Sequence, residues 1–333
     1  MNPPYQTVLK PYGEALVDLA RGREDVVCLG ADLTRQTETD LFRDRYPDRF
    51  FNAGMAEANL IGIASGLARA GLNPFVHTFG VFCTRRAYDQ VAMTLAYPKL
   101  SVKLIGFMPG LTSPGGPSHQ AIDDMALMRA LPNMTVVDVA DAVETRQVVT
   151  AIADHDGPVY VRLKRGEIPV VFDGRYAFGL ERATILAPGN DLVLVASGIM
   201  LPTALKAAEV LRAAALDVGV VHCPVVKPLD RDCVLKATEQ AKAVITVENH
   251  SIIGGLGSAV AEVLAEDGRG HRLRRVGIQD RFATPGTRPY LFRNFGLDAH
   301  SIVTAAWALL KRQEPSPPVR QVDQEETGVF EPV

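Results

Sequence analysis

Short runs of consecutive apolar residues alternate along this chain with longer stretches whose apolar positions recur every three or four residues. That rhythm predicts α/β layers, with the continuous runs as strands of largely parallel sheets and the periodic stretches as covering helices. In the first half, helices are expected over 12–22, 58–71, 85–97 and 141–155. Strands are expected over 25–32, 73–79, 99–107, 134–140 and 157–165. Residues 172–190, with Gly174, Gly179 and Gly189, read as a connection. The rhythm then restarts with strands over 191–198, 217–226 and 242–249, and helices over 201–216 and 255–267. The expectation is therefore two domains, each a largely parallel sheet flanked by helices. The first takes residues 5–180, a linker 181–190 and the second 191–312. The last residues, 313–333, are rich in Pro, Glu and Gln and are expected to be disordered. No repeat of 20–50 residues is evident.

A length of 333 residues allows each domain its own core. The formal net charge of -3 leaves no basic footprint, which argues against nucleic acid as a partner. No apolar run approaches the roughly 18 residues needed to span a bilayer. The opening MNPPYQTVLKPYGEAL lacks a basic-then-apolar export pattern. Cys28, Cys83, Cys223 and Cys233 are scattered without CxxC spacing, so they read as small apolar residues in a reducing compartment. A cytoplasmic protein is expected.

Four segments could carry chemistry. FFNAGMAEANLIGIASGLARAG sets Glu57 at the start of a helix among Gly, Ala, Ser and Asn. Its plain reading is an acidic first-turn residue favoured by the helix dipole; the other is a partly buried carboxylate with tunable protonation. HTFGVFCTRRAYDQ spaces Phe79, Phe82 and Arg85 three apart, as core aromatics or as a flat wall for a heteroaromatic ring. MPGLTSPGGPSHQAIDD is a loop by composition as far as His119, which precedes an expected helix. VRLKRGE alternates Arg162, Lys164 and Arg165 at a strand end, with solvated charge as the plain reading. None is decisive singly.

Their order is. GMAEAN, TFGVF, RAYDQ, GGPSHQ, ALMRALPNMTVVDVADAVET and GPVYVRLKR together resemble the pyrimidine-binding domain of transketolases, close to that of deoxyxylulose-phosphate synthases. VASG, VVKPLD and TVENHSIIGGLGSAVAE resemble the C-terminal domain that follows it, so the resemblance spans about residues 5–312. The family's diphosphate-binding domain carries GDG and a later metal-holding Asn, and no GDG occurs here. The sequence thus looks like the second half of a split transketolase whose first half is another polypeptide. GGLG at 254–257 lacks the GxGxxG spacing of a nucleotide loop.

The resemblance implies a subunit that binds thiamine diphosphate with a partner and transfers a two-carbon ketol unit from a ketose to an aldose. The partner would hold the diphosphate through Mg2+ (or Ca2+ or Mn2+), and the assembly would be a heterotetramer. Glu57 matches the glutamate that bonds a pyrimidine ring nitrogen and favours the tautomer able to deprotonate the thiazolium carbon. Phe82 matches the ring-stacking phenylalanine with Phe79 beside it, His119 a histidine lining the reacting carbons, and Asp32 an aspartate at the subunit interface near the cofactor. Arg85 stands where an aromatic usually lies near the pyrimidine. At the sugar-phosphate end Arg165 matches one arginine and Lys10 replaces the other. Gln36, Phe107 and Gly115 replace a serine, a histidine and an aspartate. A cationic site with fewer donors implies an anionic, non-standard ketose. The alternatives are the β subunit of a 2-oxoacid dehydrogenase decarboxylase, a deoxyxylulose-phosphate-synthase-like acyloin-forming enzyme, and an inactive scaffold retaining the fold.

Overall fold

The computed structural model describes residues 5–312 and 314–319. Its first half contributes strands β1 (Thr7–Leu9), β2 (Val26–Gly30), β3 (Phe50–Asn52), β4 (Asn73–Phe79), β5 (Lys103–Phe107), β6 (Thr135–Asp138), β7 (Val159–Leu163) and β8 (Glu167–Pro169). Its second half adds β9 (Thr184–Ala187), β10 (Leu192–Ala196), β11 (Val218–His222), β12 (Val225–Lys227), β13 (Ala243–Ser251) and β14 (Arg272–Ile278). A seven-stranded sheet runs β12-β6-β7-β5-β4-β2-β3, and a five-stranded sheet runs β14-β13-β10-β11-β9. Both are parallel except at one edge, where β12 opposes β6 and β9 opposes β11. The pair β1-β8 forms a separate antiparallel ladder.

Strands β2, β4, β5 and β7 are buried along their whole length, as parallel strands covered on both faces require. Alternate residues then serve different cores. Val26, Cys28 and Phe75 face one side of the large sheet, and Val27, Leu29 and Val76 face the other. That second core continues into the other domain through Val195, Val221 and Val244, so one apolar layer joins the two sheets.

Two expectations are corrected here. Residues 181–190, read as linker, hold β9, an edge strand of the second sheet; the Ala183 N–H just before it is anchored on Asp230. The four residues of β9 are only half-buried, so no continuous apolar run announces them. The expected helix over 85–97 is broken: π-type turns occupy Phe82–Arg86 and Val91–Ala96, with a short helix Tyr88–Gln90 between. Of the expected disordered tail, residues 313 and 320–333 lie outside the described residues. Residues 314–319 are described: the Trp307 indole N–H donates to the Glu314 carbonyl at 2.6 Å, and Val319 packs on the second core. No helix among the described residues is long and apolar enough to cross a membrane.

Arg162 is not the solvated charge its strand-end position suggested. It is 1% exposed and its guanidinium meets Asp124 at 2.8 Å, Asp138 at 3.1 Å and the Asn249 carbonyl at 2.9 Å. Tyr160 donates to Asp124 at 2.7 Å and Ser197 to Asp138 at 2.7 Å, so the network ties both domains together.

Glu248 lies beside it, its carboxylate accepting from Leu256 and Gly257 N–H at 2.7 and 2.9 Å at the start of helix Leu256–Asp267. Burial nevertheless pushes its carboxyl up to about 8 from 4.5. Between those values the folded chain holds a proton that the unfolded chain releases, so this group's stabilisation falls as pH rises. The stability of the wild type relative to Glu248→Gln is expected to decline from pH 5 to 8, by at most about 1.4 kcal/mol per pH unit. Urea unfolding of both proteins across that range measures it, and a constant difference would count against the assignment.

Candidate active site

The carboxyl ends of the parallel strands gather most of the candidate residues, as open α/β sheets place their binding crevices. Asp32 follows β2 in a left-handed conformation (φ 61°), its N–H donating to Asn52 Oδ1 at 3.1 Å at the end of β3. From there the chain passes over Gly54 (φ 72°) and starts helix Glu57–Arg69. In that helix Glu57, Leu60, Ile61, Ala64 and Ser65 are buried, a single stripe at helical spacing. Glu57 is therefore a first-turn residue on the inward face, 3% exposed, so it is a dipole-favoured acid and a buried carboxylate at once.

Phe79 ends β4, and the turn after it carries Phe82. Their rings lie 5.9 Å apart and nearly parallel at 27°. The loop 109–119 brings His119 against both, edge-on, at 6.3 Å from Phe79 and 5.2 Å from Phe82. Gly110 makes that loop possible. It sits at φ 55°, where a Cβ would stand 2.2 Å from the Asn249 carbonyl oxygen. The structure thus brings together Phe79 and Phe82 from one segment and His119 from another.

Arg86, which sequence reading passed over, links this aromatic wall to Glu57. Its Nη1 donates to both Glu57 oxygens at 2.9 Å, and its guanidinium lies 4.4 Å from the Phe82 ring centroid. Arg85 points elsewhere and pairs with Asp123 at 2.8 Å. Arg86 follows Phe82 by four residues, a spacing that keeps the two on one face of the turn, while Arg85 is drawn to Asp123. A π-turn leaves no clear mark in a single sequence, so only the doubled arginine of TRRAYDQ hinted at it.

The substrate-end candidates are less united. Leu9 pairs with Glu167 in the β1-β8 ladder, so Lys10 and Arg165 bracket one end of it. Lys10 holds Asp40 at 2.7 Å and is 41% exposed on its side chain. Glu38, a buried carboxyl nearby that sequence reading missed, is pushed up to about 7 by burial while accepting from Gly13 N–H at 2.9 Å. Lys164 is half-buried, and burial with the neighbouring Arg288 pushes its ammonium down to about 7. Gln36 is half-exposed. Phe107 is fully buried, edge-on to Tyr12 at 5.6 Å, and so is a core residue with no polar group to offer. Gly115 lies on the exposed loop next to His119.

Residues 6–170 match the family described as transketolase, pyrimidine binding domain, and residues 181–302 match transketolase, C-terminal domain. A 6-deoxy-6-sulfo-D-fructose transketolase subunit SqwH of Clostridium sp. (strain MSTE9) is 39% identical over 320 residues, covering 94% of this chain and 99% of that one. One of the apulose-4-phosphate transketolase subunits of Phocaeicola vulgatus is 33% identical, covering 91% and 97%. A solved structure described as a split gene transketolase, inactive beta4 tetramer, superposes with a TM-score of 0.84 at 43% identity, covering 92% of this chain and 98% of that one. With relatives of its own length named as transketolase subunits and both domains matched, the chain belongs to the transketolase family.

Proposed function

We propose that this chain binds the pyrimidine half of thiamine diphosphate and, with a partner subunit, transfers a two-carbon ketol unit from an anionic, non-standard ketose to an aldose. The observation that carries the reading is the buried Glu57 carboxylate at the sheet's carboxyl edge, linked through Arg86 to a wall made by Phe79, Phe82 and His119. A flat nitrogen heterocycle needs a hydrogen-bonding carboxyl at one edge and an aromatic surface on its face, and these residues fit both needs.

When bound, the cofactor supplies the carbon nucleophile that takes up and releases the ketol unit. Glu57 offers its carboxyl to a pyrimidine ring nitrogen and steadies the proton there. Phe82, backed by Phe79, walls the ring. His119, edge-on to both rings with its Nδ1 2.9 Å from the Ser118 hydroxyl, is oriented to hold a proton for substrate oxygens. Asp32 and Arg85 border the site near the partner. The partner holds the diphosphate through Mg2+ (or Ca2+ or Mn2+), and two such pairs form a heterotetramer with two sites. Exposed Phe51 and Met55, beside Glu57 in the chain, supply apolar surface for that partner. Free thiols at Cys28, Cys83, Cys223 and Cys233 fit a cytoplasmic setting.

Lys10 and Arg165 at the ladder end give the substrate site two positive charges, whereas Phe107 contributes no donor. Each charged hydrogen bond absent from a buried phosphate site costs roughly 1.5–3 kcal/mol. Relatives named for a sulfonated fructose and for apulose 4-phosphate fit an anionic ketose outside the common pentose phosphates. Steady-state kinetics of the complex on a ketose panel tests this. The best donor should be such a ketose, and Arg165→Ala should raise its KM more than it lowers kcat, because the charge positions rather than reacts. Xylulose 5-phosphate with ribose 5-phosphate as the best pair by a wide margin would contradict the substrate assignment.

A further inference from the structure

Arg86 occupies both groups that a pyrimidine ring would use. One of its nitrogens donates to both Glu57 oxygens at 2.9 Å, and the central carbon of its guanidinium lies over Phe82 at 4.4 Å from the ring centroid. A guanidinium is flat, carries N–H donors along its edge and stacks on aromatic faces. In those three respects it is a stand-in for an aminopyrimidine. The contact also solves a problem of the subunit on its own. A buried carboxylate without a partner is costly, and Glu57 is 3% exposed. Among the described residues, Arg86 is the donor that meets both of its oxygens.

The pair is lopsided. Glu57 is buried to 4% of its side chain, whereas Arg86 keeps 54% of its side chain exposed. The arginine can therefore swing into water without opening the core, while the glutamate stays where the helix puts it. Its neighbour cannot take over the contact, because Arg85 is held by Asp123 at 2.8 Å.

We infer that Arg86 is a built-in occupant of the pyrimidine site, holding Glu57 and Phe82 in the subunit on its own until the cofactor's aminopyrimidine displaces it. The inference rests on the proposal that Glu57 and Phe82 bind that ring, and it adds a regulatory step: cofactor entry competes with an arginine of the same chain. The competition weakens pyrimidine capture by the lone subunit and makes it depend on the additional contacts a partner brings.

Ligand-observed NMR titration of the isolated chain with thiamine, which has the aminopyrimidine but no diphosphate, tests this without any turnover. Arg86→Met keeps the length of the side chain and removes charge and donors. It should bind thiamine about tenfold more tightly than the wild type, the scale of one lost charged hydrogen bond. Arg86→Lys, which keeps the charge but not the flat stack, should fall between them. The double variant Arg86→Met with Glu57→Gln should lose the gain. Equal or weaker binding by Arg86→Met, with Glu57→Gln weaker still, would overturn the inference and leave the pyrimidine site standing with Arg86 as a fixed support. Binding that no substitution at Arg86 or Glu57 changes would overturn both the inference and the reading beneath it.

Discussion

Replacing Glu57 by Gln is expected to lower the turnover of the assembled enzyme by about two to four orders of magnitude while the fold is retained. The side chain keeps its size and its place in the first turn of helix Glu57–Arg69, so packing around Leu60, Ile61 and Ala64 is undisturbed. What changes is the proton inventory. A carboxyl can give or accept a proton at a ring nitrogen, and an amide cannot. On the proposed role, in which Glu57 would assist deprotonation of the cofactor's thiazolium carbon, hydrogen–deuterium exchange at that carbon should slow in parallel with turnover. Exchange that stays fast while turnover falls would place the action of Glu57 elsewhere. Melting curves of the variant separate a chemical loss from a folding loss.

The second large effect is structural. Arg162→Met is expected to destabilise the protein by about 3–5 kcal/mol, the usual cost of leaving a buried charge without its partner. Asp124 and Asp138 both meet this guanidinium, and burial already pushes the Asp138 carboxyl up. Removing the arginine leaves two carboxyls facing each other in an apolar interior, and it also strips the Asn249 carbonyl of its donor. Because Asn249 belongs to β13 and Arg162 to β7, the loss falls on the joint between the domains. Chemical denaturation should show a lower midpoint, and uptake of protons on folding should increase as the carboxyls neutralise. A change below about 1 kcal/mol would mean that the network relaxes into water and is not a closed, buried unit.

Much of this architecture was readable from hydrophobic rhythm. VVCLG, NPFVHTF and VYVRL are buried on both faces, so their apolar runs are continuous, and the helices 11–21, 57–69, 142–153, 201–213 and 256–267 lie within a few residues of their expected limits. Strands at edges escaped because their chemistry is mixed. RLRRVGI of β14 carries three arginines and is buried only at its end, β1, β3 and β8 have three residues each, and the single strand expected over 217–226 divides into β11 and β12 of different sheets. The loop that ends at His119 leads into the expected helix, Asp124–Ala130, but nothing in its sequence marks Asp124 as the hub of the buried network. At the site, Phe79, Phe82 and His119 were chosen from family resemblance and meet in space. Arg85 is named from its match to a family position, and no such match pointed to Arg86, whose contact with Glu57 and Phe82 is visible only in three dimensions. Phe107 was placed at the substrate from its match to a polar family position, but an apolar side chain there turns into the core against Tyr12. Arg162 was read as solvent-facing because strand ends usually are. Here the second domain covers that end.

The most direct test of the half-site reading is to purify this chain and measure thiamine diphosphate binding and ketol transfer before and after adding a partner that carries the GDG domain. The chain by itself should bind the cofactor weakly in the presence of Mg2+ and turn over no ketose, because the proposed site supplies groups for the pyrimidine and leaves the diphosphate to the partner. Addition of the partner should restore tight binding and transfer together, saturating at one partner per chain. Ketol transfer by the lone chain at a rate comparable to the complex would contradict it.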